Sequence, residues 1–227
     1  MLLMRSNSIN LGRLNTPEEI EKAMPIIVRL LDNVINLNKY PTGKSRNTAF
    51  ESRAIGIGTM GEHHMIAKKE IEYNSKKHRD MIDEVYEAIY YHGLKASSDL
   101  AREKGSYPKF DESEYAKGKL SIDFYVTEIE EESPNKYDYY YLRELIQKQG
   151  LRNGWLFAIA PTSTIGILAG TTSSCEPIYK IRWDEENLSG LIRCVAPDLN
   201  SSNYEIYRKN TAFEANQKEL VETAAIS

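Results

Sequence analysis

The apolar positions in the N-terminal part of the chain repeat at helical spacing. Thr16 is followed by Pro17 and Glu19, and a Thr-x-x-Glu capping box with proline at the first helical position is typical of a helix N-terminus. Apolar side chains then recur every three or four residues, at Ile20, Met24, Ile27, Leu31 and Val34. This spacing places them on one buried face and predicts an amphipathic helix that ends at residues 40–43, YPTG.

Three more helices are predicted further along the chain. A short apolar segment with glycines, residues 53–61, leads into a run that is expected to be helical up to about Lys69. The longest helix is predicted for residues 75–104, where an inward stripe of apolar and small residues is followed by a glycine and a proline. A shorter helix is predicted for residues 137–149.

A buried strand is predicted after these helices. Residues 155–160, WLFAIA, form a continuous apolar run of the length expected for a strand buried on both faces. Helices that alternate with such strands favour an α/β architecture with a mainly parallel sheet or barrel. Residues 106–136 are polar and irregular, and we expect them to form a surface excursion of a single domain that spans residues 1–227.

Composition narrows the class of protein. The chain is 41% hydrophobic and 27% charged, and its net charge of -4 gives no sign of the basic surface that nucleic-acid-binding proteins use. Cys175 and Cys194 are too few for a disulfide framework, so reduced thiols are expected. No stretch approaches the roughly 20 apolar residues of a membrane span, and residues 1–12 do not resemble a secretory signal. We therefore expect a cytoplasmic protein that binds neither membranes nor nucleic acids directly.

The sharpest local feature is residues 161–164, PTST, directly after the apolar run. The amides in the first turn of a helix lack internal acceptors, and the helix dipole favours negative charge there. Hydroxyls at Thr162, Ser163 and Thr164 can add donors to phosphate oxygens. Alternatively, Thr162 or Ser163 caps the following helix, which is the commoner role of these residue types. The local pattern leaves both roles open and favours capping.

Two other patterns carry weaker signals. Residues 56–61, GIGTMG, match the spelling of a dinucleotide fingerprint, but no apolar strand precedes them, and the acidic residues about twenty positions later lie within the longest predicted helix. A packing role is favoured for these glycines. The histidines show no metal-ligand spacing, so we predict no metal site and expect packing or surface roles for His63, His64, His78 and His92.

Ordered blocks along the chain resemble the large (α, catalytic) subunits of ribonucleotide reductases. The blocks are SINLG at 8–12, RAIGIGTMG at 53–61, LRN at 151–153, AIAPTST at 158–164 and EPI at 176–178. The resemblance runs in order over nearly the whole chain and is weakest at residues 106–136. It implies that the chain is a C-terminal-half segment of the family's ten-stranded α/β barrel, and it replaces the dinucleotide interpretation of residues 56–61.

The resemblance also implies a function, which is the radical reduction of ribonucleotides to deoxyribonucleotides for DNA replication. In this family the segment that corresponds to PTST holds the phosphates of the substrate. The resemblance therefore implies that Thr162, Ser163 and Thr164 contact phosphate, with the amides of Ile165 and Gly166 as helpers.

The family's catalytic groups are expected outside this segment. The resemblance places the thiyl-radical cysteine, with its Asn and Glu neighbours, upstream of Met1, and it places the radical-transfer tyrosines and the C-terminal cysteines beyond Ser227. One member of the reducing cysteine pair aligns with Met4, which cannot form a disulfide. We therefore assign no catalytic residue and no cofactor to this chain, and we expect the isolated chain to be inactive. The substrate can be a diphosphate or a triphosphate, and the resemblance does not decide between them. The radical source is likewise open between a metal-bearing small subunit and adenosylcobalamin.

Two functions are compatible with this resemblance. In the first, the chain is a segment of a reductase large subunit that becomes active with a complementing large-subunit segment and a radical-generating small subunit. In the second, it is a non-catalytic remnant or paralogue that binds nucleotide phosphate or a reductase partner. Assembly with a partner is expected in both cases, because a partial barrel exposes strand edges and apolar faces.

Overall fold

The structure of the protein, a computed structural model, describes residues 5–124, 136–187 and 190–226. These residues form a helix-rich α/β arrangement. Its elements are, in chain order, β1 (Arg5–Asn10), α1 (Pro17–Leu37), α2 (Gly43–Ser52), β2 (Ile55–Met60), α3 (Glu62–Lys68), α4 (Lys76–Lys104), α5 (Tyr139–Gln149), α6 (Ser163–Ala169), β3 (Arg182–Asn187), β4 (Gly190–Val195), α7 (Tyr204–Lys209) and α8 (Gln217–Ala224).

The helices predicted from apolar spacing are confirmed. Helix α1 begins at Pro17, and its capping box is formed because the Thr16 hydroxyl accepts from the Glu19 amide and the Glu19 carboxylate accepts from the Thr16 amide, each at 3.3 Å. Helices α3, α4 and α5 lie where the runs up to Lys69 and at residues 75–104 and 137–149 predicted them. Local sequence signals are therefore strong enough to define most of the helical framework.

The buried strand predicted at residues 155–160 is wrong. Only Phe157 makes a ladder contact, a parallel bridge to Ile57 in β2, and the Trp155 side chain is 62% exposed. The segment pairs with β2 on one side, and no other strand of the described residues pairs with it. The apolar side chains on its outer face therefore remain open to solvent. The sheets in the described residues are β1–β2 and the antiparallel β3–β4, each two-stranded, and they form no closed barrel. The ten-stranded barrel stays a prediction.

The chain divides into two compact units. Unit 1 comprises residues 1–7, 21–57 and 88–158, and unit 2 comprises residues 8–20, 58–87 and 159–227. The expectation of a single domain over residues 1–227 stays a prediction. None of the described helices is long and apolar enough to cross a membrane.

The core of unit 1 joins α4, α5 and the segment between them. One buried cluster consists of Tyr91, Leu94, Tyr107, Phe110, Leu120, Tyr139, Leu142, Ile146, Leu151 and Leu156. Three of these side chains come from residues 106–124, the described part of the predicted surface excursion. Residues 125–135 of that excursion lie outside the described residues.

A buried ion network also lies in unit 1. The Asp32 carboxylate is 2.6 Å from the Arg53 guanidinium, and both side chains are almost fully buried. The same carboxylate accepts from Nε of Arg152 at 3.2 Å. Asn153 donates to the Arg53 carbonyl at 3.0 Å and so ties the network to the segment that precedes residue 155. A buried carboxylate with two cationic partners holds α1 and the end of α2 in place.

Unit 2 carries the predicted phosphate segment and a buried apolar cluster of its own. Its core cluster consists of Ala67, Ile178, Ala196 and Tyr207. Beside this cluster, the first turn of α3 buries three polar side chains, Glu62, His63 and His64. Unit 2 therefore keeps much of its hydrogen-bonding chemistry in its interior.

Candidate functional site

The candidate site is the start of α6, where residues 161–164 lead into the helix. Thr162 occupies the N-cap position, but its side chain makes no capping hydrogen bond to the amides of α6 within the described residues. The buried Thr162 hydroxyl instead accepts from the Ser174 amide at 2.8 Å. Thr162 therefore occupies the capping position of α6 but does not make the capping hydrogen bond.

The start of α6 leaves several donors facing outward. The Ser163 and Thr164 side chains and the Ile165 residue are exposed. Among the described residues, no acceptor is found for the amides of Thr164 and Ile165, which is expected in the first turn of a helix. Two hydroxyls and two amides at the helix start can therefore donate to an anion.

The remaining donors of this segment are used internally. The Gly166 amide donates to the Thr162 carbonyl at 2.6 Å, and the Ser163 amide donates to the Pro161 carbonyl at 3.0 Å. Helix α6 itself contains no charged residue, so the anion preference of its start comes from backbone and hydroxyl dipoles. The phosphate contacts proposed for Thr162, Ser163, Thr164, Ile165 and Gly166 stay a prediction.

Residues 171–174 pack against both ends of α6. The Thr171 amide donates to the Gly166 carbonyl at 2.9 Å. A Cβ atom at Gly166 would lie 3.3 Å from the carbonyl oxygens of Thr171 and Thr172, so the two backbones are in close contact. The Ser174 amide completes the arrangement through its bond to Thr162. The geometry of the candidate site is therefore set by these four residues.

A buried polar cluster surrounds Glu62, at the start of α3. One Glu62 carboxylate oxygen is 3.1 Å from Nε2 of His78, and the other accepts from the Tyr86 hydroxyl at 3.0 Å. Because Nδ1 of His78 accepts from the Asn74 amide at 3.0 Å, we assign the proton to Nε2, which donates to Glu62. His78 is then neutral, and Glu62 has two donors that satisfy its buried carboxylate.

The other two histidines of unit 2 point in different directions. Nδ1 of His63 accepts from the Ile178 amide at 3.0 Å, and burial lowers the pKa of His63 to about 3. His64 contacts Thr171 and Asp198 through its two ring nitrogens. Their sequence pattern indicated packing or surface roles, and these specific partners were missed because they lie more than a hundred positions away.

The described residues offer no activated thiol and no metal site. Burial raises the thiol pKa of both Cys175 and Cys194, and the Glu62 carboxylate raises that of Cys175 further. Both thiols are therefore protonated and weakly nucleophilic near neutral pH. No group of three or more His, Cys, Asp and Glu side chains in the described ranges is arranged to hold a metal ion. Met4, which aligns with a redox cysteine of the family, lies outside the described residues.

Comparisons with known proteins agree with the sequence resemblance. The family model "Ribonucleotide reductase, barrel domain" matches residues 7–226. The chain is similar to the ribonucleoside-diphosphate reductase subunit alpha of Helicobacter pylori, with 47% identity over 224 residues that cover 96% of this chain and 28% of the relative. The subunits of the same name from Treponema pallidum and Chlamydia pneumoniae are 36% and 37% identical over 88% and 76% of this chain. The chain spans only 17% to 28% of the length of these three relatives.

Proposed function

We propose, since this chain belongs to the ribonucleotide reductase barrel-domain family, that it supplies the substrate-phosphate loop for the reduction of ribonucleotides to deoxyribonucleotides. The observation that carries this proposal is the start of α6, where the amides of Thr164 and Ile165 have no acceptor in the described part of the chain. The exposed Ser163 and Thr164 hydroxyls lie beside them. This combination is suited to phosphate oxygens, which accept several hydrogen bonds at once.

The five residues of the loop have different parts in this proposal. Ser163, Thr164 and the Ile165 amide make the direct contacts, because their donors face outward. Thr162 and the Gly166 amide support them, because their internal bonds to Ser174 and to the Thr162 carbonyl fix the shape of the loop. The loop thus binds and orients the phosphates, and we assign it no part in the radical chemistry.

The substrate we propose is a ribonucleoside diphosphate. The matched relatives are named ribonucleoside-diphosphate reductases. An uncharged loop with backbone and hydroxyl donors recognises phosphate oxygens without specifying the base. Choice of base is therefore left to other parts of the assembled enzyme.

Reduction also needs groups that the described residues do not supply. Cys194 is buried and Cys175 is half-buried, and burial raises both thiol pKa values, so we propose that neither takes part. The radical cysteine and one reducing cysteine are proposed to come from the remaining parts of a reductase large subunit, and the radical from a radical-generating small subunit. Binding without turnover in such an assembly would favour the non-catalytic alternative.

The phosphate-loop proposal is tested by titrating the chain with ADP and following the amide resonances of Thr164 and Ile165 by NMR. Saturable shifts of these two resonances are expected. Ser163→Ala combined with Thr164→Ala is expected to weaken binding by about a hundredfold, because each of the two hydroxyl bonds to a charged group contributes about 1.5 kcal/mol.

Leu168→Ala is the matched control. This side chain lies on the same helix, is 89% exposed and is away from the helix start, so its removal is expected to leave binding unchanged. ADP that leaves both resonances in place would contradict the proposal, as would a double variant that binds like the unmodified chain.

A further inference from the structure

We propose that His64, in the first turn of α3, is a positioning residue for the phosphate loop, because its imidazole fixes residues 171–174, which in turn fix the start of α6. This inference rests on the function proposed for α6. It concerns a side chain that does not contact substrate and acts through two intervening layers of hydrogen bonds.

The first layer joins residues 171–174 to α6 at two points. The Ser174 amide holds the Thr162 hydroxyl at 2.8 Å, and the Thr171 amide holds the Gly166 carbonyl at 2.9 Å. The backbones at Gly166 and Thr172 are already so close that even a Cβ atom would be 3.3 Å from the Thr172 carbonyl oxygen. A movement of residues 171–174 must therefore move the donors of the phosphate loop.

The second layer joins residues 171–174 to the start of α3. The Gly61 amide donates to the Thr172 carbonyl at 2.8 Å, and the His64 amide donates to the Thr172 hydroxyl at 3.2 Å. Nδ1 of His64 lies 3.0 Å from the Thr171 hydroxyl. Of these three bonds, only the last uses a side chain of α3, so it is the one that a substitution in α3 can remove while leaving the backbone bonds in place.

The surrounding chain is shaped to admit the His64–Thr171 bond. A Cβ atom at Gly12 would lie 2.3 Å from Nδ1 of His64, and a Cβ atom at Gly61 would lie 2.3 Å from the Thr171 hydroxyl. Real side-chain atoms do not approach this closely, so any other residue at either glycine would displace the ring or the hydroxyl. The two glycines thus make room for this one contact.

The second ring nitrogen fixes the orientation of the imidazole. Nε2 lies 2.9 Å from the Asp198 carboxylate, whose side chain is 63% exposed. A carboxylate is an acceptor, so Nε2 donates to it, and in the neutral ring Nδ1 then accepts from the Thr171 hydroxyl. The same hydrogen bond lowers the pKa of Asp198 and keeps it ionised. Asp198 therefore selects the tautomer in which Nδ1 accepts from the Thr171 hydroxyl.

Two substitutions at His64 separate its two contacts. Asparagine places an amide group near the position of Nδ1 and can keep the bond to Thr171, whereas glutamine places its amide near the position of Nε2 and can keep only the bond to Asp198. We expect His64→Gln to raise KM for a ribonucleoside diphosphate about tenfold with kcat within about twofold, and His64→Asn to stay near the unmodified enzyme. Thr171→Val is expected to reproduce the effect of His64→Gln, and the double variant to be no worse than either.

These variants are tested in a chimera in which residues 7–226 of this chain replace the matching region of the H. pylori alpha subunit, so that the relative keeps its own residue at the position of Met4. The amide resonances of Thr164 and Ile165 are recorded in parallel on the 227-residue chain without nucleotide. His92→Gln, a substitution of a buried histidine in unit 1, is the control and is expected to change neither measurement.

Higher KM and displaced amide resonances in His64→Gln, with neither change in His64→Asn, would support the inference. Equal effects of the two His64 variants, or a lower melting temperature with unchanged KM, would overturn it and leave His64 with a structural role. If the unmodified chimera shows no saturation by diphosphate, the proposed function fails. In that case the nucleotide-free resonances still decide whether His64 positions the loop.

Discussion

Replacing Asp32 with alanine is expected to destabilise unit 1 by about 3–5 kcal/mol, because it leaves a buried arginine without its counter-charge. The Asp32 side chain is fully buried, and that of Arg53 is only 4% exposed. After truncation, the acceptors that remain for Arg53 are the side chain of Asn36 and the backbone carbonyl of residue 32, each at 3.2 Å. Neither carries a charge, so the guanidinium cannot recover its ion pair within the described surroundings.

An exposed ion pair in the same unit supplies the comparison. Arg29 and Glu103 form a salt bridge in which each side chain is about half exposed. Glu103→Ala is expected to destabilise far less than Asp32→Ala, because solvent screens the exposed pair and its ordering costs side-chain entropy. With a urea dependence of about 2 kcal/mol per molar, Asp32→Ala should lower the unfolding midpoint by about 2 M and Glu103→Ala by much less.

The two tryptophans allow each unit to be followed separately. Trp155 belongs to unit 1 and Trp183 to unit 2, so Trp183→Phe leaves fluorescence that reports on unit 1. Urea titrations of Asp32→Ala and Glu103→Ala in that background give the two midpoints. Equal midpoints for the two variants, or a loss below about 1 kcal/mol for Asp32→Ala, would refute the reasoning from burial.

Two further predictions concern unit 2. Gly61→Ala is expected to destabilise the protein more than Gly105→Ala. Both glycines have φ near +80°, so the backbone strain of the two substitutions is similar. Of the two, only Gly61 is crowded, because its new Cβ would lie 2.3 Å from the Thr171 hydroxyl. Thermal unfolding of both variants checks this, and equal shifts of the melting temperature would contradict it. His63 is expected to make the protein acid-sensitive, because its pKa in the folded protein is lowered from 6.5 to about 3. Between these values the unfolded chain binds more protons than the folded one, so the stability present above pH 6.5 is lost as the pH falls toward 3. In His63→Leu, the urea midpoint reported by Trp183 should change less steeply with pH between 4.5 and 6.5, by an amount that corresponds to about one bound proton. An unchanged dependence on pH would exclude His63 as its source.

Helices with strong end signals could be predicted from sequence, whereas α2, α7 and α8 were not predicted. Helices α1 and α4 have apolar stripes with recognisable starts or stops. Helix α2 was missed because Ala49 is its only buried residue among those described, so apolar spacing gave no signal. The Thr42–Ser45 capping box that starts it was present in the sequence and could have located it.

Strands were predicted less well, because their burial depends on neighbours that a local pattern does not contain. Residues 155–160 are apolar, but their outer face is open and they pair only with β2. The β3–β4 hairpin was not predicted, since most of its side chains are exposed and its first strand, RWDEEN, is largely charged. Apolar content alone therefore predicted a strand where there is only a bridge and missed a hairpin.

The sequence pointed to the start of the candidate site, but it did not reveal the residues that hold this segment in place. Three consecutive hydroxyl residues before a helix pointed to residues 162–164. The contacts that hold this segment join positions far apart in the chain, such as His64 with Thr171 and Asp198, which are 107 and 134 positions away. No local spacing encodes such pairs, so only the folded arrangement shows that an α3 histidine contacts residues 171–174, which in turn hold the loop.

The central claim is that the start of α6 binds the phosphates of a ribonucleotide, and a crystal structure of the chain with a bound ribonucleoside diphosphate tests it most directly. The account predicts phosphate oxygens within about 3 Å of the amides of Thr164 and Ile165 and of the Ser163 and Thr164 hydroxyls. Phosphates held by other residues, with these donors facing only water, would contradict it.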